Sequence, residues 1–431
     1  MGGLRHQLSR APAPIFALYA GLMAFGAYFA MYAFRKPFTV AGFADAAPFI
    51  VKYKSALVIA QVFGYALSKI LGVKFISETP PQHRALGIVL LIGLGEAALV
   101  LFALIPAPWN IACLFVNGLA LGMIWGLVFG FLEGRRVSEV LGAMLCTSFI
   151  VSSGVVKSAG EFVLLRGWAN EYWMPALTGL LFTPLLLICV SGLAALPPPS
   201  AEDEATRVPR TPMDAGARLR LFSAYAPGLV VLVITYVGLT ALRDFRDNFA
   251  ADIWAGLGFH NDAQIFSLSE IPVAVIVLTM LALVMFVRDN RHAFMANLLL
   301  VGVGLALSGL CTYAFKAHLI GPVTWMIALG AGLYLAYTPF NAILFDRFIA
   351  ASGRGGNAGF LIYVADACGY ISSVALLLFR DFAGVKLSWV EFLETISYAS
   401  SAVGVVLVVG AGFYFWRRLG AGSGHGQTVQ H

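Results

Sequence analysis

Apolar stretches of about 20 residues recur along the whole chain, and each is long enough as a helix to cross a hydrocarbon layer about 30 Å thick. Of the 431 residues, 60% are hydrophobic and only 12% are charged. Soluble domains carry about 25% charged residues. These values exclude a water-soluble globule and predict a polytopic membrane protein.

Proline, glycine and charged residues divide the apolar sequence into twelve predicted spans. They cover residues 14–43, 54–73, 84–105, 109–132, 138–162, 173–195, 221–251, 263–287, 292–315, 320–345, 355–380 and 390–416. Segment 196–220 is rich in proline and mixed charge, as a cytoplasmic linker would be. We therefore predict an all-α fold of twelve transmembrane helices in two pseudo-symmetric six-helix halves, 1–195 and 221–416, with a cytoplasmic tail at 417–431.

The distribution of basic residues predicts the orientation of these spans. Of the 28 lysines and arginines, 16 fall in the segments assigned to the cytoplasm, 6 in the outer loops and 6 within spans. This bias follows the positive-inside rule and predicts an inner-membrane protein with both termini in the cytoplasm. The same rule accounts for the net charge of +6, so the charge does not indicate a nucleic-acid partner.

Charged residues of the first and seventh spans repeat in two registers. Residues 34–38 and 245–249 both read F-R-x-x-F, at an offset of 211. On continuous helices a second repeat, at an offset of 208, would place four residues of each span on one face: Tyr28, Tyr32, Arg35 and Thr39, and Tyr236, Thr240, Arg243 and Asp247. The first register pairs Arg35 with Arg246 and the second pairs it with Arg243, and both alternatives stay open.

An arginine inside a span costs at least about 2.5 kcal/mol and must face a cavity or a partner. Two arginines from repeated helices would form a planar, permanently charged site for a phosphate or carboxylate. Tyr28, Tyr32, Tyr236 and Asn248 would add hydrogen bonds. In the alternative interpretation, Arg35 extends to the lipid headgroups, and nearby aspartates neutralise the seventh-span arginines.

The string Y-A-F-R-K-P-F at residues 32–38 resembles the Y-x-x-R-K-x-F motif of the organophosphate:phosphate antiporters of the major facilitator superfamily. The resemblance implies a phosphate-binding role for Arg35 beside Lys36, with Arg243 or Arg246 as the partner of Arg35. It also implies that Lys69, in G-Y-A-L-S-K, lines the same path. The fifth span lacks the histidine of the glycerol-phosphate transporter, so the resemblance implies a divergent member whose substrate need not be a sugar phosphate.

Other charges within or beside the spans are candidates for coupling or gating. Asp366 and Glu96 are acids inside spans and would carry a coupling proton, and Asp366 would alternatively neutralise an arginine. Lys157 and Glu161 stand four residues apart and are predicted to pair. Two acid–arginine pairs at cytoplasmic helix ends are candidate latches or static surface pairs: Glu133 with Arg135 and Arg136, and Asp346 with Arg347.

These features predict a secondary active transporter that moves a small anionic solute by alternating access. Exchange of one anion for another is expected, because an empty cationic site crosses the membrane unfavourably. One alternative is a proton-coupled symporter of a sugar, carboxylate or zwitterion that uses Asp366 or Glu96, and a second is a membrane sensor that does not transport. No enzyme, metal or cofactor motif is present in the sequence, and a single chain is expected to suffice for function.

Overall fold

The computed structural model describes residues 2–47, 51–132, 138–198, 215–353, 358–382 and 387–420, and every regular element in these ranges is a helix. The α-helices are α1 Gly2–Arg10, α2 Ala13–Tyr32, α3 Tyr53–Glu78, α4 Arg84–Leu104, α5 Ile111–Leu121, α6 Ile124–Gly130, α7 Ser138–Leu165, α8 Met174–Ala194, α9 Ala215–Asn248, α10 Ala250–Gly256, α11 Gln264–Met285, α12 Asn290–Lys316, α13 Pro322–Ala342, α14 Leu344–Ser352, α15 Ala358–Phe382 and α16 Trp389–Gly420. Two short 3-10 helices cover Pro37–Val40 and Pro81–His83.

Within the described ranges, eleven segments are long and apolar enough to cross a membrane. A further helix of 25 residues, α15, lies at the eleventh predicted span and carries charged residues. The predicted all-α membrane fold is confirmed, and α15 is consistent with a twelfth span.

The first predicted span is not one continuous helix. The α-helix ends at Tyr32, residues 33–36 form a turn, and a 3-10 helix follows at Pro37–Val40. Proline lacks an N–H donor and its ring clashes with the preceding helical turn, so a regular helix ends before it. Arg35 therefore lies in a turn, and the prediction that it shares a continuous helical face with Thr39 is wrong.

The fourth and tenth predicted spans are also interrupted. Gly122 and Met123 separate α5 from α6. In the tenth span, Ile343 separates α13 from α14 with φ −137° and ψ −30°, four residues after Pro339. The first interruption lies just past the middle of its predicted span, and the second lies close to the end of its span.

The chain folds into two compact units. The first consists of residues 1–207, 244–274 and 373–390, and the second of residues 208–243, 275–372 and 391–431. Helix α9 contributes residues to both units. The predicted halves, 1–195 and 221–416, stay a prediction.

Glycines allow close helix packing inside each unit. In the first unit, a Cβ atom on Gly118 of α5 would collide with the carbonyl oxygen of Gln61 and lie 3.0 Å from the backbone nitrogen of Tyr65, both on α3. In the second unit, a Cβ atom on Gly304 of α12 would collide with the carbonyl oxygen of Gly332 on α13. Small residues at such crossings let helix backbones touch, as the glycine spacing of the fourth span predicts.

We expect Gly118→Ala to destabilise the protein by about 1–3 kcal/mol, because the added methyl group must push α5 away from α3. The matched control is Gly93→Ala on α4, where a Cβ atom would meet no other atom within 4 Å. Thermal unfolding of both purified variants in detergent is the measurement. Equal stability of the two variants would contradict the close contact between α3 and α5.

Candidate functional site

In the first unit, Tyr65 of α3 lies at the centre of an aromatic and cationic group. The guanidinium carbon of Arg35 lies 3.7 Å from the centre of the Tyr65 ring and 5.8 Å from that of Tyr32. The hydroxyl groups of Tyr28 and Tyr65 are 3.3 Å apart. The Lys69 ammonium lies 5.8 Å from the Tyr65 ring centre. The structure thus brings four predicted site residues around a tyrosine that the sequence analysis missed, and we name these five residues the Tyr65 cluster.

Two buried amides hold the turn that carries Arg35. The amide nitrogen of Gln61 donates to the carbonyl oxygen of Arg35 at 3.0 Å and to Asn117 Oδ1 at 2.8 Å. The Asn117 amide nitrogen in turn donates to the carbonyl oxygen of Phe34 at 3.0 Å. A helix that ends inside a protein leaves carbonyl groups unpaired, and these amides satisfy two of them. Sequence analysis missed both residues, although a buried amide in an apolar span is itself a signal.

A second group in the first unit, which we name the Asp247 cluster, comprises Lys36, Ser153, Lys157, Asp247 and Asn248. The Lys157 ammonium contacts Asp247 Oδ1 at 2.5 Å and donates to its carbonyl oxygen at 2.6 Å. Lys36 forms an ion pair with the same carboxylate and donates to Asn248 Oδ1 at 2.7 Å. Ser153 also donates to Asp247. All five residues are buried, so two ammonium groups share one carboxylate away from water.

The structure corrects the predicted partner of Lys157. The sequence spacing predicts a pair with Glu161 one helical turn away, whereas the ammonium of Lys157 contacts Asp247 on α9. A carboxylate that accepts two ammonium groups and a hydroxyl is a stronger partner in a buried place than a flexible side chain on the same helix.

Two further ion pairs lie in the first unit. Arg246 Nη1 lies 2.8 Å from Glu270 Oε1, and both side chains are buried. The Lys54 ammonium lies 2.7 Å from Asp252 Oδ2. Arg246 therefore has an acid from α11 as an ion-pair partner, which the interpretation based on nearby aspartates does not include.

In the second unit, Tyr236 connects an acid to an arginine. Its hydroxyl lies 2.5 Å from Asp366 Oδ1 and 3.0 Å from the hydroxyl of Tyr337, and it accepts a hydrogen bond from the Asn341 amide at 3.1 Å. The rings of Tyr236 and Tyr337 stack with centres 5.1 Å apart. The guanidinium carbon of Arg243 lies 3.9 Å from the Tyr337 ring centre. We name these five residues the Asp366 cluster.

The environments of Arg35 and Arg243 resemble each other. Each arginine lies over a tyrosine from another helix, and that tyrosine contacts the hydroxyl of the tyrosine seven residues before the arginine, Tyr28 or Tyr236. Arg246 instead forms an ion pair with Glu270. The local chemistry therefore favours the 208-residue register.

The candidate gating residues differ in what can be described. Glu133 and Arg135 lie outside the described residues. Asp346 is exposed near the start of α14, and Arg347 Nη1 donates to Asn290 Oδ1 at 2.9 Å.

Outside the spans, Asp289 caps α12 by accepting the His292 N–H at 2.8 Å. This hydrogen bond, with that from the His292 ring, holds the pKa of Asp289 below its usual value.

Comparison of the structure with solved structures shows the class of fold. One similar structure is described as a bacterial homologue of the human drug peptide transporters PepT1 and PepT2, at 12% identity and a TM-score of 0.60, covering 94% of this chain and 98% of that chain. A mutant of the peptide transporter POT in complex with sulfate matches at 14% identity and a TM-score of 0.57, covering 95% and 96%. The protein therefore has the major facilitator fold, as predicted. These similarities do not support the specific relationship to organophosphate antiporters.

The sequence comparisons assign the chain to a family. It belongs to the family described as "Family of unknown function (DUF5690)", which matches residues 37–418. No curated protein matches the chain.

We expect Asp247→Asn to destabilise the protein by about 3–5 kcal/mol, because it leaves two buried ammonium groups without their carboxylate. Adding Lys157→Met removes one of these charges and should recover part of the loss. The exposed Asp289→Asn variant is the control, since asparagine caps a helix about as well as aspartate. Thermal unfolding of the three variants in lipid nanodiscs is the measurement. An Asp247→Asn variant with the stability of the unsubstituted protein would contradict the ion-pair geometry.

Proposed function

We propose that the protein is a proton-coupled secondary transporter that moves a small zwitterionic solute by alternating access. The observation that carries this proposal is the Asp366 cluster. In it the buried Asp366 contacts the Tyr236 hydroxyl, this hydroxyl contacts that of Tyr337, and the Tyr337 ring lies against Arg243. The likeness of the fold to peptide transporters supports it.

The buried charges of the first unit weaken the argument for obligatory anion exchange. That argument requires an empty site with uncompensated positive charge. Asp247 compensates Lys36 and Lys157 in part, and Glu270 compensates Arg246. These counter-ions lower the positive charge of the empty first unit, and a lower charge fits proton coupling better than obligatory exchange.

Asp366 is the proposed proton carrier. A phenol has a single O–H group, so Tyr236 donates either to Asp366 or to Tyr337. An ionised Asp366 accepts this hydrogen. When Asp366 gains a proton, it becomes a donor itself, and the hydroxyl of Tyr236 turns to Tyr337, whose ring carries Arg243. Proton uptake at Asp366 thus changes the environment of an arginine that can bind a carboxylate.

The proposed solute class follows from the groups that the Tyr65 cluster and the Asp366 cluster each contain. Arg35 and Arg243 stay the candidates for binding a carboxylate, since guanidinium groups bind it in two-pronged geometry. Tyrosine rings beside both arginines offer faces to an ammonium group or an apolar side chain. An amino acid or short peptide can carry a carboxylate, an ammonium group and an apolar side chain. The names of the similar transporters agree with this class of solute.

Contacts inside the first unit support a role in closing the outer side during the alternating-access cycle. Bonds join Lys36 and Lys157 to Asp247, Lys54 to Asp252, and the backbone N–H of Ser267 to Ser158 Oγ at 3.1 Å. In the predicted topology all of these residues lie toward the outer ends of their spans. We infer that these bonds close the outer side and break when the path opens outward.

We expect proteoliposomes containing the protein to accumulate labelled dialanine or alanine under an inward proton gradient. Asp366→Asn should abolish accumulation, because it cannot take up a proton, and should keep counterflow between loaded vesicles. Asp289→Asn is the control and should accumulate solute normally.

The alternatives give different results in the same vesicles. Phosphate counterflow without proton-driven uptake would favour the anion exchange predicted from the sequence, and binding of alanine or dialanine without any flux would favour a sensor. Either result would overturn the proposal. Accumulation that survives Asp366→Asn would remove Asp366 as the carrier.

A matched pair of variants tests which seventh-span arginine binds solute. Arg243→Lys loses the planar group that stacks on Tyr337, and we expect the KM for uptake to rise by about tenfold or more. Arg246→Lys keeps a point charge opposite Glu270, and we expect uptake close to normal. The reverse result would favour the 211-residue register. Initial uptake rates over a range of solute concentrations give the answer.

A further inference from the structure

Glu96 is a half-buried acid with buried carboxyl oxygens, and the proposed role of Asp366 does not involve it. It lies on α4, and its side chain reaches α8 and the turn after α2. A Cβ atom on Gly179 of α8 would lie 2.6 Å from Glu96 Oε2 and 2.8 Å from the ring of Phe34, so the missing side chain at Gly179 makes room for the carboxyl group. Both carboxyl oxygens are shielded from solvent, and neither has a hydrogen-bond partner among the described residues.

Charged and polar groups on the segments beside Glu96 have contacts with other residues. Arg35, which follows Phe34, lies over Tyr65, and Lys36 pairs with Asp247. From α5, the Asn117 amide donates to the carbonyl oxygens of Phe34 and Gly95, which precedes Glu96. Helix α8 contains no charged residue.

An ionised carboxylate in this place would have neither a counter-ion nor a donor among the described residues. Burying such a charge costs several kcal/mol even after relaxation, whereas a neutral carboxylic acid pays only the smaller cost of a polar group. Asp366 differs because it has the Tyr236 hydroxyl as a donor. The surroundings of Glu96 therefore favour the protonated acid, whereas the hydroxyl beside Asp366 can stabilise a negative charge.

We propose that Glu96 is a second proton-binding site, loaded in this conformation, which releases its proton when the turn at residues 33–36 and α8 separate. This inference rests on the proposed proton-coupled transport. The coupling is mechanical, because the Phe34 ring and the carboxyl group lie against the same side of Gly179, and Asn117 binds the backbone carbonyl of Phe34. Water that enters this contact solvates the carboxylate, and the same movement shifts Arg35 and Lys36.

The first test does not depend on transport. Full-length protein in nanodiscs is treated at neutral pH with dicyclohexylcarbodiimide, which reacts with protonated carboxyl groups in apolar surroundings, and modified residues are located by mass spectrometry. Infrared spectra are recorded for the same protein and for Glu96→Gln. We expect modification at Glu96 and a protonated-acid carbonyl band that Glu96→Gln removes. Absence of both signals would overturn the proposal.

The second test measures coupling. We expect the rate of proton-driven dialanine uptake to depend on proton concentration with a Hill coefficient approaching about two, and Glu96→Gln to lower it toward about one. Glutamine has nearly the shape of the protonated acid, so the variant should fold and keep counterflow. An unchanged Hill coefficient would make Glu96 a structural acid only. If the wild-type protein shows no proton-driven uptake, the proposed function fails, while the first test still decides whether Glu96 holds a proton.

Discussion

The low dielectric of the membrane interior governs the polar contacts of this protein, because a charge there needs a counter-ion or a set of donors. Asp247 receives two ammonium groups and a serine hydroxyl, and Arg246 receives Glu270. The partners come from different helices, so each contact also sets the rotation and height of one helix against another. Apolar packing alone would determine these positions less sharply, since one leucine can replace another at little cost.

The break after α2 distributes two neighbouring cations between two clusters. Pro37 ends the regular helix, and Gln61 and Asn117 bind the carbonyl groups that the break exposes. Arg35 then lies over the Tyr65 ring while Lys36 reaches Asp247. A short backbone irregularity, stabilised by two amides, therefore separates a stacked guanidinium from a paired ammonium.

The sequence predicts the fold well because a span is a local property, visible as about 20 apolar residues in a row. It also shows that residues such as Lys157 need a partner. It does not show which partner, because spacing describes only the same helix: Glu161 is near in sequence, whereas Asp247 is 90 residues away. Tyr65 and Tyr337 were missed for the same reason. Each is one of 15 tyrosines, and only its position under an arginine from another segment distinguishes it.

The distribution of partners indicates where charge can change during a cycle. An arginine paired with a glutamate keeps its proton, because losing it would leave the buried carboxylate without its counter-ion. Two acids have different surroundings: the Tyr236 hydroxyl lies 2.5 Å from Asp366, and Glu96 has no hydrogen-bond partner among the described residues. In the proposed cycle we assign the change of charge to these two acids rather than to Arg246 and its glutamate, and this assignment favours proton coupling over exchange of anions.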